Sequence, residues 1–239
     1  MSKILSSEEV MDLALLDNAV QPLHVERSDG HTSTADLRWW LGDSRARPPV
    51  ELSALELIEE GSVLDVGCAT GRHLKLLQAR GLAVYGIDTC PSAVAIARRG
   101  GVNCKVADVW RFNTDRRFRT VMALGGNLGI AGRSGRLGSY LRLLSSFLDH
   151  GGRILLSSVD WRRSASRHAE FVTRQKEEGR YPGDVRLRLR YGDAVSAWFE
   201  WLWADLDLLR NQADAVGHRI GRVMQWEHRY VAEILKEAV

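Results

Sequence analysis

Short apolar runs alternate with amphipathic stretches through the middle of the chain, and this rhythm narrows the fold more than any other feature. Residues 63–66 read as a buried strand, 72–80 as a helix stopped by Gly81, 82–87 as a second strand and 91–99 as a helix again stopped by glycine. Strands at 102–106, 119–124 and 153–158 follow, with a helix at 136–148 before the last of them. Strand alternating with helix requires a parallel sheet with right-handed crossovers. Ligands of such sheets sit beyond the carboxyl ends of the strands.

The flanks read differently. Ser6 and Glu9 form a capping-box pair ahead of a helix with Val10, Leu13, Ala14 and Leu16 on its apolar side. Residues 26–49 are mostly turn chemistry around a short helix through Trp39 and Trp40, and a helix is expected at about 50–60. Together, residues 1–60 read as an N-terminal helical cap or lid and residues 61–160 as the core. Residues 161–204 read as an insertion with a β-hairpin turning at Gly192 and Asp193. Residues 205–239 supply a helix at about 205–216 and two strands, 218–225 and 228–235. Consecutive strands with no helix between them imply an antiparallel edge on the sheet.

The chain has 239 residues and a formal charge of +3, so its average charge does not argue for nucleic acid. No apolar run reaches the roughly 20 residues of a membrane helix. The acid-rich start is unlike a secretory signal. Cys68, Cys90 and Cys104 lack zinc-like spacing, so no metal is expected, and they read as reduced thiols of a cytoplasmic protein.

The first strand ends at Asp65, and the turn after it is Gly67-Cys68-Ala69-Thr70-Gly71. This spacing is tighter than a dinucleotide fingerprint, and no lysine follows to make a phosphate loop. Asp65 would repel a polyphosphate and suits an amino group. Asp88, closing the second strand, can accept both hydroxyls of a ribose. Asp108 can accept an adenine amino proton, with Val109 and Trp110 beside the ring. The set asks for amine, ribose and adenine without phosphate.

The segments "VLDVGCATG", "VYGIDTCPSAVAIAR" and "CKVADVWRF" resemble motifs of the class I S-adenosylmethionine-dependent methyltransferases. The resemblance implies a Rossmann-like, doubly wound, seven-stranded, mostly parallel sheet whose last strand is antiparallel. It implies S-adenosyl-L-methionine as cofactor. Asp65, Gly67, Cys68, Ala69 and Gly71 would hold its methionine end, Asp88 and Thr89 its ribose, and Asp108, Val109 and Trp110 its adenine. Ala69 departs from the family's usual glycine there. Asn127 stands where the family's active-site mouth lies.

The expected reaction is in-line methyl transfer to a small-molecule acceptor, with specialised metabolism as a setting. His31 or His168 can serve as a base near neutral pH. Trp39, Trp40, Trp161, Arg163, Tyr191 and Trp201 can wall the acceptor, in competition with roles as core anchors or surface residues. Two alternatives stand beside this: an RNA or protein methyltransferase landing on the arginines of 162–190, and a cofactor-binding partner protein without catalysis. Arg186, Arg188 and Arg190 share one strand face, which is either a landing surface or a solvated face.

Overall fold

The computed structural model describes residues 4–18, 20–41 and 48–236, and the side chains of Trp39 and Arg167 lie outside that description. In chain order the elements begin with α1 (Ser7–Leu16), β1 (Leu23–Arg27), β2 (Thr32–Ala35), α2 (Leu37–Trp40) and α3 (Pro49–Glu56). The middle contains β3 (Ser62–Val66), α4 (Arg72–Ala79), β4 (Ala83–Asp88), α5 (Pro91–Arg99), β5 (Cys104–Val106), β6 (Phe118–Ala123), α6 (Leu137–Ser146) and β7 (Leu148–Val159). The remainder is α7 (Ala169–Glu177), β8 (Asp184–Tyr191), β9 (Ala194–Val195), β10 (Phe199–Leu202), α8 (Leu206–Asp214), β11 (His218–Trp226) and β12 (Arg229–Lys236). Short 3-10 turns run over Asn127–Ala131, Ser134–Arg136 and Trp161–His168.

A seven-stranded sheet has the order β11-β12-β7-β6-β3-β4-β5, and a second sheet follows the path β10-β8-β1-β2 with β9 paired to β8. The chain divides into two compact units. The first comprises the described residues of Met1–Arg47, Gly67–Phe112 and Arg186–Glu200. In it β4 and β5 pair in parallel, while β1 lies antiparallel to both β2 and β8. Val10, Ala14, Leu15, Leu23, Leu37 and Leu189 pack into its core. The capping box forms: the Glu9 N–H donates to Ser6 Oγ at 3.1 Å, and the Ser6 N–H donates to Glu9 Oε2 at 2.7 Å. Gly81 ends α4 at φ 84, its N–H going to the Gln78 carbonyl and that of Leu82 to the Leu77 carbonyl.

The second unit comprises Pro48–Val66, Asn113–Val185 and the described residues of Trp201–Val239. Here β6 is parallel to both β3 and β7, and β12 is antiparallel to both β7 and β11. Leu64, Val121, Met122, Leu155, Val231 and Ile234 are fully buried, the continuous apolar pattern of strands covered on both faces.

Three local expectations change. Residues 26–49 contain more than turns, because Thr32–Ala35 pairs with β1. Thr32, Ser33 and Thr34 are exposed, so β2 shows no apolar alternation and looks like a loop in sequence. The second arm of the β8 hairpin breaks after two residues, where Ser196 Oγ takes the Leu189 N–H at 2.9 Å and interrupts the ladder. The antiparallel strand is not the sheet edge: β12 folds back between β7 and β11, leaving β11 outermost.

Candidate functional site

In the first unit the glycine turn is held by backbone and carboxylate together. The N–H groups of Gly67 and Cys68 both donate to the Ile87 carbonyl, at 2.9 and 3.0 Å. Gly67, Ala69 and Gly71 have φ of 74, 47 and 76°. Ala69 thus adopts the left-handed conformation that favours glycine, at a cost of about 1 kcal/mol or more. Gly71 has a second constraint: a Cβ there would sit 3.0 Å from Val102 Cγ2 and 3.2 Å from Ala97 Cβ. Cys68 is buried beneath the turn, its Sγ only 2.7 Å from where a Cβ on Gly86 would stand.

Asp88 joins the turn to the start of α5. Its Oδ2 accepts the Ala69 N–H at 2.7 Å, and its Oδ1 accepts the Cys90 N–H at 2.9 Å. Burial pushes its pKa up; the two peptide donors pull it down, and the charge of Glu8 adds to the rise. A carboxylate offers about four acceptor positions, so two bonds leave room for a diol. The Asp88 carbonyl accepts the Ala107 N–H at 2.9 Å, tying the turn after β5 to the same strand end. There Asp108 accepts the Trp110 N–H at 3.0 Å, and Val109 is buried. Thr89 is exposed.

Trp40 lies at this turn: its carbonyl accepts the Thr70 hydroxyl, and the Arg72 guanidinium sits 6.0 Å from its ring centroid. Thr70 and Arg72 were not among the expected site residues, because their contacts run to a helix distant in sequence. His31 lies apart on the exposed turn between β1 and β2, where its N–H reaches Asp29 Oδ1 at 3.3 Å. Tyr191 is buried, donating its hydroxyl to Asp17 Oδ2 at 2.6 Å and accepting the Gln21 N–H at 3.1 Å. Arg188 and Arg190 each donate Nε to Glu26 at 2.6 Å, and Arg188 also lies 4.6 Å from the Trp198 ring centroid. The two arginines hold the Glu26 carboxyl below its ordinary pKa, the Arg190 bond first among the causes.

In the second unit Asp65 is the penultimate residue of β3 and is 1 % exposed. Asn127 donates Nδ2 to the Val66 carbonyl at 3.0 Å, and its own carbonyl accepts the Tyr140 hydroxyl at 3.2 Å. Burial, with the Asp65 charge second, drives the Tyr140 pKa upward. Gly125 and Gly126, both at positive φ, donate their N–H groups to Glu51 Oε1 and Ser157 Oγ. Trp201 covers the next turn so closely that a Cβ on Gly129 would lie 2.0 Å from its Cε2. Asp65, Asn127 and Trp201 are therefore linked through the strand end and the 127–131 turn.

Trp161 and Arg163 have other partners. Trp161 Nε1 donates to Tyr181 Oη at 2.8 Å, and Tyr181 donates to Asp205 Oδ2 at 2.8 Å. Arg163 reaches the Glu227 carbonyl and Gln225 Oε1 at the β11–β12 turn. His168 is half-buried just before α7. Among the described residues, no group of three His, Cys, Asp or Glu side chains is placed to hold a metal ion, and no helix is long and apolar enough to cross a membrane.

Residues 63–152 match a family described as a methyltransferase domain. A probable cobalt-precorrin-6B C(15)-methyltransferase (decarboxylating) from Pyrobaculum aerophilum is 34 % identical over 107 residues, 44 % of this chain and 46 % of that protein. A ubiquinone biosynthesis O-methyltransferase from Hahella chejuensis is 34 % identical over 85 residues, 32 % of this chain and 36 % of that protein. The chain thus spans less than half the length of these curated relatives. The solved structure of a SAM-dependent methyltransferase from Bacteroides fragilis, in complex with S-adenosyl-L-homocysteine, superposes with a TM-score of 0.80 at 23 % identity, covering 98 % of both chains. Residues 63–152 thus resemble a methyltransferase domain, and the chain has the Rossmann-like fold of a solved S-adenosylmethionine-dependent methyltransferase.

Proposed function

We propose that the protein is an S-adenosylmethionine-dependent methyltransferase that moves a methyl group to a small-molecule acceptor by in-line displacement. The carrying observation is Asp88: a carboxylate already fixed by the Ala69 and Cys90 N–H groups keeps acceptor capacity for a ribose diol. Its charge disfavours a phosphorylated ribose, and the Gly67–Gly71 turn is tighter than a dinucleotide fingerprint, which together favour a phosphate-free adenosyl ligand.

When bound, S-adenosylmethionine supplies a methyl group already activated on a sulfonium. The residues of this chain orient it. Asp88 takes the ribose hydroxyls, Asp108 takes the adenine amino group, and buried Val109 offers the ring an apolar contact. Positioning the acceptor about 3–3.5 Å from the methyl can supply much of the acceleration such a transfer needs. A base is required only for an acceptor that begins protonated. His31 and His168 are the histidines proposed for that role.

A small-molecule acceptor is supported by the names of the two curated relatives and by the state of β8. Arg188 and Arg190 are engaged by one carboxylate, which lowers the positive charge available to an RNA backbone.

The test is thermal denaturation with ligand. S-adenosyl-L-homocysteine at a hundredfold excess over its Kd stabilises by about 2.7 kcal/mol, an upward shift of roughly 5–10 °C for a chain of this size. NADH should leave the transition unchanged. An unmoved transition with the homocysteine product at millimolar concentration refutes the proposal.

A further inference from the structure

Helix α5 begins without a cap of its own. Cys90, its N-cap residue, makes no side-chain capping bond, and Pro91 brings no N–H. The N–H of Ser92 is taken instead by Asp12 Oδ1 at 2.7 Å, from α1, 80 residues away in sequence. The same oxygen accepts the Cys90 thiol proton at 3.1 Å. Burial, with the Asp12 bond second, raises the Cys90 pKa, so the thiol keeps its proton and continues to donate through neutral pH. The Cys90 N–H meanwhile goes to Asp88. The 88–92 turn is thus gripped by two carboxylates, one its own and one from α1. Val10, Met11, Ala14 and Leu15 place that helix, packing in one cluster with Cys90 and Ala93.

We propose that Asp12 is a positioning residue of the cofactor site. It fixes the 88–92 turn so that the Asp88 carboxylate meets the ribose, and it makes affinity for an adenosyl ligand depend on the docking of α1. The inference rests on the cofactor reading above. Asp12 acts through Asp88 and touches no ligand itself. A carboxylate accepting a peptide N–H contributes more than a neutral acceptor, and losing it leaves the first turn of α5 with an unanswered donor.

The experiment is a double-mutant cycle read by calorimetric binding of S-adenosyl-L-homocysteine. Asp12→Ala should weaken binding by about tenfold, the size of one lost charge-assisted bond, while Asp12→Asn, which keeps an acceptor oxygen, should stay within about threefold of the parent. In an Asp88→Ala background the further change Asp12→Ala should cost less than about twofold, because the group it positions is gone. Should Asp12→Ala fail to fold, Asp12→Ser, too short to reach α5, takes its place with the same expectations. Equal losses in both backgrounds, parental affinity in the Ala or Ser variant, or an Asn variant as weak as Ala each overturn the inference alone. A parent chain that does not bind the homocysteine product overturns the cofactor reading and the inference together.

Discussion

Replacing Tyr181 by phenylalanine removes one oxygen and three hydrogen bonds. The hydroxyl accepts from Trp161 Nε1 at 2.8 Å and from the Asp205 N–H at 2.9 Å, and it donates to Asp205 Oδ2 at 2.8 Å. Asp205 is not stranded by the change, since its Oδ1 still caps α8 through the Asp207 and Leu208 N–H groups. The cost therefore falls on two donors left without an acceptor and on one lost bond to a carboxylate. For this partly buried cluster the sum is about 2–3 kcal/mol, equivalent to a drop of roughly 5–10 °C in Tm. Calorimetry of Tyr181→Phe at pH 7 measures it. The pH dependence offers a second readout. Burial, foremost among the causes, raises the Tyr181 pKa above its ordinary 10.0. A raised value means stability that is complete below the unfolded pKa and lost as pH rises beyond it. The gap between parent and variant should narrow above about pH 10. A variant melting within about 1 °C of the parent would show that Trp161 is not anchored through this hydroxyl.

Glu26→Gln should cost about 1 kcal/mol, a modest figure because both arginines are about one-third exposed and solvent screens them. The lowered Glu26 pKa puts this contribution above pH 4.5, so the variant and parent should converge as pH falls through the folded value; a constant gap down to about pH 2 contradicts the pairing. Gly129→Ala drives a methyl into the Trp201 indole, and a loss of about 1–3 kcal/mol with altered tryptophan fluorescence is expected. Unchanged fluorescence would mean that Trp201 does not lie over that backbone.

The β3–α4–β4–α5 stretch was legible because its signals are local. Apolar runs, Gly81 as a stop and Pro91 as a start all act within a few residues of themselves. The strand β2 was hidden because its exposed Thr32-Ser33-Thr34 face carries no apolar alternation, and only the β1 partner makes it a strand. The same limit governs the site. The spacing of Gly67, Gly71 and Asp88 could be read directly, whereas the Thr70 bond to Trp40 and the Ser92 bond to Asp12 join segments far apart in sequence. Glu26 shows it most simply: the arginines of β8 read as either a landing surface or a solvated face, and only the fold shows one acid lying between two of them.

The placement of β12 has a consequence for synthesis. β7 emerges from the ribosome long before β12, yet one of its two hydrogen-bonding edges is filled only by residues 229–236. Until they arrive, an apolar strand stands with one row of backbone donors and acceptors unanswered, the template on which chains misassociate. β11 is made first but cannot occupy that edge in the native order, since the later strand must slip in beside β7. Completion of this sheet therefore waits on residues 229–236, and a nascent chain stalled before residue 229 leaves that edge open to misassociation.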